Sequence, residues 1–206
     1  MNDLSNLLAS LVEDVLASKD ALSGSDTPVN RRNLIRATLA ASEGLIWLAQ
    51  QNVREIAQQM GQLEPIVDLA LQSSGYEVRA NGTVQMVARF VPITTGVKML
   101  VKQAERITPK VAVTFGDAGW HGFTHAIDVR NRLMHPKSPS ELIVKDADIS
   151  MTELGFDWLL ATVTHILGHV VAEFRGYVGD FNDLLNDLRA GDPDALKQYH
   201  ALLRDT

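Results

Sequence analysis

Arg130, Asn131 and His135 are the residues of this sequence whose types and spacing could do chemistry. A histidine takes up and releases a proton near neutrality, because its unperturbed pKa is about 6.5. An arginine stays charged and presents a forked set of donors suited to two oxygens of an anion. An asparagine offers one donor and one acceptor group, enough to orient either neighbour or a substrate. The stretch "RNRLMHP" therefore joins an acid–base group to a fixed positive charge.

The segment that must position them reads as a helix over residues 117 to 134. On a helical wheel Phe123, Ala126, Ile127, Leu133 and Met134 share one arc, with Arg130 near its centre, so the arginine is expected to be mostly buried. Thr124, Asp128, Asn131 and His135 form a polar row at spacings of four, three and four. Pro136 ends the helix, since the residue before a proline is pushed out of helical geometry, and His135 is thereby presented at an edge. A buried guanidinium needs a counter-ion. In the long helix read over residues 28 to about 60, Ile35, Leu39, Ile46, Val53 and Ala57 form the apolar face, bordered by Arg32, Arg36, Glu43 and Gln50. Glu43 is the best-placed partner for Arg130. The pair reads equally well as a structural link between two helices and as part of a site.

The remaining elements follow from periodicity and punctuation. Leu4, Leu7, Leu8, Leu11, Val12, Val15 and Leu16 define an amphipathic helix over residues 2 to 22; Asp26 or Thr27 caps the next, with Pro28 in its first turn and Gly44 marking close packing. "EPIVDLALQS" is a shorter helix. Asn81-Gly82 between two short β-prone runs predicts a hairpin, the one convincing strand pair. Residues 92 to 107 are helical, "HPKSP" is a rigid bend, and "ELIVK" is too short to classify. Ser150 to Leu188 and Asp192 to Leu203 are helical, with Gly168, Gly176 and Gly179 placed to break the longer stretch. The fold class is all-α, a helical bundle with one small hairpin. No linker or repeat divides it, so residues 1 to 206 form one domain, with a core at about 28 to 190 and terminal helices packed on it.

Composition narrows the classes further. The 206 residues include 46% hydrophobic and 21% charged side chains, which favours a folded core over disorder. With no cysteine, disulfide frameworks and thiolate chemistry are excluded. A net charge of −6 argues against broad nonspecific nucleic-acid binding while leaving room for a local basic cluster. The apolar runs read as too short to span a bilayer, and Asp3, Glu13 and Asp14 do not fit a signal peptide, so the expectation is a cytoplasmic protein without membrane contact.

"RNRLMH" resembles the R-x(4–6)-H signature of the HEPN superfamily, in which the arginine is usually followed by a polar residue, here Asn131. "RRNLIRATLAASEGLIWLA" is similar to the arginine-rich second helix of stand-alone bacterial members, and "YEVRANGTV" to their hairpin insertion; the similarity of pattern spans about residues 28 to 190. The resemblance implies a homodimer with two motifs facing each other and, in active members, metal-independent RNA cleavage. It places Arg130, Asn131 and His135 in the catalytic motif and Glu43, less securely, at the upstream acidic position. Arg36, Arg132 and Lys137 become candidates for RNA backbone contacts, although each is more often a plain surface charge. The implied setting is toxin–antitoxin or antiviral defence, with an antitoxin or a nucleotidyltransferase as partner. Many members are instead noncatalytic binding or regulatory modules.

Other patterns carry less. His121/His125 and His165/His169 are two i, i+4 pairs that could bind zinc, but no H-E-x-x-H base accompanies them, and the expectation is no metal and no cofactor. Trp47, Trp120 and Trp158 could stack bases, though among apolar neighbours they read first as core or interface. "GDAGWHG" lacks the strand and helix of a phosphate loop.

Overall fold

Thr27 and Pro28 turn the chain sharply between its first two helices. The Thr27 hydroxyl accepts from Asn30 N at 3.2 Å, and the Asn30 amide donates back to the carbonyls of Ala21 and Ser25 at 3.0 and 2.8 Å. The structure, a computed structural model, describes residues 2 to 202; Leu203 and the side chain of Leu4 lie outside the described residues. Seven α-helices and a two-stranded hairpin make up the described chain, which is all-α as expected. In order they are α1 (Asn2–Gly24), α2 (Pro28–Gln59), α3 (Pro65–Leu71), β1 (Ser74–Val78), β2 (Val84–Ala88), α4 (Ile93–Ile107), α5 (Ala118–Met134), α6 (Asp146–Ala190) and α7 (Pro193–Leu202).

Helix α1 lies along α2 through Val15, Leu11 and Leu22, which meet Leu34, Ala41 and Phe156. Gly44 makes that approach possible: a Cβ there would sit 2.4 Å from Leu11 Cδ1. The central core joins α2 (Ile46, Ala49, Val53), α4 (Val97, Leu100, Ala104), α5 (Phe123) and α6 (Leu159, Val163, Ile166), all buried. Trp120 and Trp158 belong to it, stacked edge to face at 5.3 Å. The hairpin pairs Tyr76 with Met86 and Val78 with Val84, and Gly82, at φ 80°, supplies the left-handed residue its three-residue loop needs.

Helices α5 and α6 touch backbone to backbone where Gly122 meets Gly155. A Cβ on Gly155 would fall 2.3 Å from Phe123 N, and one on Gly122 2.6 Å from Met151 O. Neither glycine stands out by periodicity.

Three expectations need correction. Gly168, Gly176 and Gly179 do not interrupt α6, which is continuous for 45 residues. Glycine keeps the i→i−4 hydrogen bond and costs about 1 kcal/mol against alanine, too little to break a helix whose first half is buried in the core. That continuous helix contains an 18-residue stretch of mean hydropathy 1.3, long and apolar enough by composition to cross a bilayer, so apolar length excludes nothing here; 39% of the stretch is buried inside the bundle. Finally, the unclassified "ELIVK" region contributes a 3₁₀ turn (Pro139–Leu142), and α6 starts at Asp146, earlier than Ser150, where Asp148 in its first turn accepts from the backbone N–H of Lys145 at 2.9 Å.

Beyond Val170, α6 runs past the bundle. Gly191, at φ 76°, closes it, with Asp192 N donating to Asp187 O at 3.0 Å, and α7 folds back to bury Ala195.

Candidate active site

Arg130 is not buried. Its side chain is 35% exposed, and Nη2 donates to Glu43 Oε1 at 2.8 Å. The wheel placed its azimuth inside the apolar arc, but an azimuth does not say which neighbour provides cover. At the level of Arg130 the space between α5 and α2 is an open cleft of about 510 Å³. Its walls come from α2 (Leu39, Glu43, Ile46, Trp47), the loop entering α4 and that helix's first residues (Phe90 to Thr94) and α5 (Ile127, Arg130, Asn131). Val129, not Arg130, completes the buried stripe with Phe123, Ala126 and Leu133, while Met134 is half exposed.

Three of the four motif candidates meet in this cleft. Besides its bond to Glu43, Arg130 donates from Nη1 to Asn131 Oδ1 at 3.4 Å. With Glu43 45% exposed, the ion pair is a solvated one, worth about 0 to 1 kcal/mol rather than the several of a dry pair. His135 stands apart. It caps α5 with φ −130° and ψ 54°, its N–H donates to Asn131 O at 3.2 Å, and its exposed imidazole makes no hydrogen bond among the described residues. It does not line the cleft.

The candidate backbone contacts separate. Arg36 is exposed, and its Nη2 reaches Leu133 O at 3.4 Å, in the last turn before His135. Lys137 is exposed beside the same helix end. Arg132 is committed elsewhere: it donates to the carbonyls of Glu141 and Ile143, both at 2.6 Å, and to Asp148 Oδ2 at 2.7 Å. Its guanidinium pins the bend after α5 to the start of α6.

That pin is a second charged cluster, absent from the sequence reading. Asp148, 9% exposed in its side chain, accepts from Arg132, from Lys145 N at 2.9 Å and from His125 Nε2 at 2.9 Å. Burial alone would raise its pKa; the Lys145 and His125 hydrogen bonds and the Arg132 charge outweigh that and hold the carboxyl below its usual range. A group depressed in the folded state stabilises the fold above its unfolded pKa of about 3.9 and loses that contribution as pH falls through the folded value. Asp148→Asn should therefore lower stability at neutral pH by about 2 to 3 kcal/mol in urea denaturation, with the gap to wild type narrowing only below about pH 4. A gap that stayed constant down to pH 2 would refute the assignment.

The histidine pairs divide as well. His125 serves Asp148, His121 is exposed, and His165 and His169 stack edge to face at 4.6 Å on α6. The described residues contain no cluster of three side chains able to hold a metal ion. Sequence reasoning missed Phe90, which lies 91% exposed at the cleft mouth. The available signal was an aromatic stranded between the hairpin and Val91-Pro92, outside any periodic pattern.

An all-α bundle with an arginine–carboxylate–amide cleft and an exposed histidine at the end of the same helix is the class that fold and site define. No family model matches the chain, and no curated protein or solved structure is detectably similar to it.

Proposed function

We propose that the chain is a metal-independent endoribonuclease of HEPN type, acting in the cytoplasm as a homodimer in toxin–antitoxin or antiviral defence. The observation that carries this reading is the placement of Arg130 and Asn131 in an open cleft one helical turn from the exposed imidazole of His135, which has no hydrogen-bond partner among the described residues. RNA cleavage without metal requires removal of a proton from the ribose 2′-hydroxyl, stabilisation of charge on the phosphate, and protonation of the departing 5′-oxygen. His135 suits the proton transfers. Arg130 uses Nη2 on Glu43 and Nη1 on Asn131 and keeps further N–H donors for a phosphate oxygen. In a homodimer with facing motifs, two copies of His135 divide the base and acid roles, and Arg36 and Lys137 supply backbone contacts.

The purified protein should cleave single-stranded RNA in EDTA, leave 2′,3′-cyclic phosphate ends, and spare DNA, which lacks the internal nucleophile. Light scattering should give about twice the 22.6 kDa chain mass; a concentration-independent monomer removes the shared site. The alternative, a noncatalytic binding or regulatory module, draws support from the Glu43 carboxylate, which already neutralises Arg130. Intact RNA after incubation with a well-folded dimer would favour it. In either case an antitoxin or nucleotidyltransferase encoded alongside fits the proposed role.

A further inference from the structure

The geometry points to the cleft as a nucleobase pocket selective for guanine, walled by Trp47 and Phe90 and read by Glu43 and Asn131; its biological role rests on the ribonuclease reading above. Trp47 is 44% exposed and Phe90 91% exposed, and neither pairs with another aromatic ring among the described residues. Exposed aromatics at the mouth of a cleft are stacking surfaces available to any base. Behind them Leu39, Ile46 and Ile127 provide an apolar floor, and a volume of about 510 Å³ lies in the range of small-ligand pockets.

Selectivity comes from the polar end. Glu43 spends Oε1 on Arg130, and Oε2 has no hydrogen bond among the described residues. Asn131 accepts from Arg130 through Oδ1, which leaves its amide nitrogen as a donor. A carboxylate acceptor beside an amide donor complements two adjacent N–H donors followed by a carbonyl. Guanine presents that order on its Watson–Crick edge: N2–H, N1–H, O6. Adenine and cytosine set a ring acceptor beside their amino group, and uracil flanks its single N–H with two carbonyls, so each would leave an acceptor facing the carboxylate. A site built for such hydrogen bonds rejects the analogue that lacks them.

Wild type should be titrated calorimetrically with GMP, IMP, AMP, CMP and UMP. GMP should bind at least about tenfold more tightly than AMP, CMP or UMP, and IMP, lacking the 2-amino donor, should fall between. Phe90→Ala should weaken GMP about tenfold and Phe90→Tyr should restore it. Glu43→Gln should erase the preference for GMP, and far-ultraviolet dichroism should show all three variants folded. Equal binding of the nucleotides, no binding at millimolar concentration, or GMP affinity unchanged in Phe90→Ala would overturn the pocket. The two readings fail separately. Selective GMP binding without RNA cleavage sinks the ribonuclease and keeps the pocket; cleavage without base preference, with no GMP binding, does the reverse.

Discussion

His135→Ala should abolish RNA cleavage while leaving oligomeric state and melting temperature unchanged. Both halves follow from its position. The imidazole is exposed and makes no side-chain hydrogen bond among the described residues, so truncation removes nothing the fold uses. If it moves the protons, its loss should cost about 10²- to 10⁴-fold in rate, the usual contribution of a positioned acid–base group. Arg130→Ala should also fail to cleave. Because the Arg130–Glu43 pair is half in water, that variant should keep its fold and serve as an independent test. Equal cleavage by wild type and His135→Ala would mark the activity as a contaminant, and loss of cleavage accompanied by unfolding would show that His135 holds structure instead.

Gly155→Ala should be the most destabilising small substitution in the molecule. The added methyl group would meet backbone atoms of Phe123 and Gly122 at 2.3 to 2.6 Å, and backbone cannot rotate aside as a side chain does. Helices α5 and α6 would have to separate along the contact that seats Phe123, at a cost of about 3 kcal/mol or more. Gly168→Ala, thirteen residues further along the same helix, is the control: nothing lies within 4 Å of its Cβ, so it should gain about 0.5 to 1 kcal/mol from helix propensity. Urea denaturation of the two variants checks both signs. Similar midpoints would mean that the helices can shift apart freely.

The contrast between these glycines marks how far the sequence is legible. Local chemistry reads well: Thr27-Pro28 starts a helix, Asn81-Gly82 turns a hairpin, and Pro136 ends α5 at His135. Each depends on bonds within a few residues. What does not read is anything decided by a distant neighbour. Gly155 and Gly168 look alike until Phe123 is placed against one of them. Arg130 and Val129 are adjacent, and only the position of the cleft determines which is covered. Glu43 was recognisable as the partner of Arg130 because two amphipathic faces had to meet. Asp148 was not, since it lies in the first turn of α6, ahead of the apolar period that marks that helix, and the lysine before the helix has no side-chain acceptor to signal a cap. Phe90 escaped because a loop has no period.

The length of α6 has a consequence for motion. By hydrogen bonding it is one helix, yet its two halves are held in different ways. Up to Val170 it carries Phe156, Leu159, Val163 and Ile166 into the core; beyond that point no described residue of α6 is fully buried, and α7 packs against its end. Amides in the first half can exchange with solvent only when the bundle itself opens. Those near Gly176 and Gly179 exchange through local fraying, because each opening there breaks little tertiary contact. A single uninterrupted helix thus contains a steep gradient of stability, with its most protected turn and some of its least protected ones about 20 to 30 Å apart along the same axis.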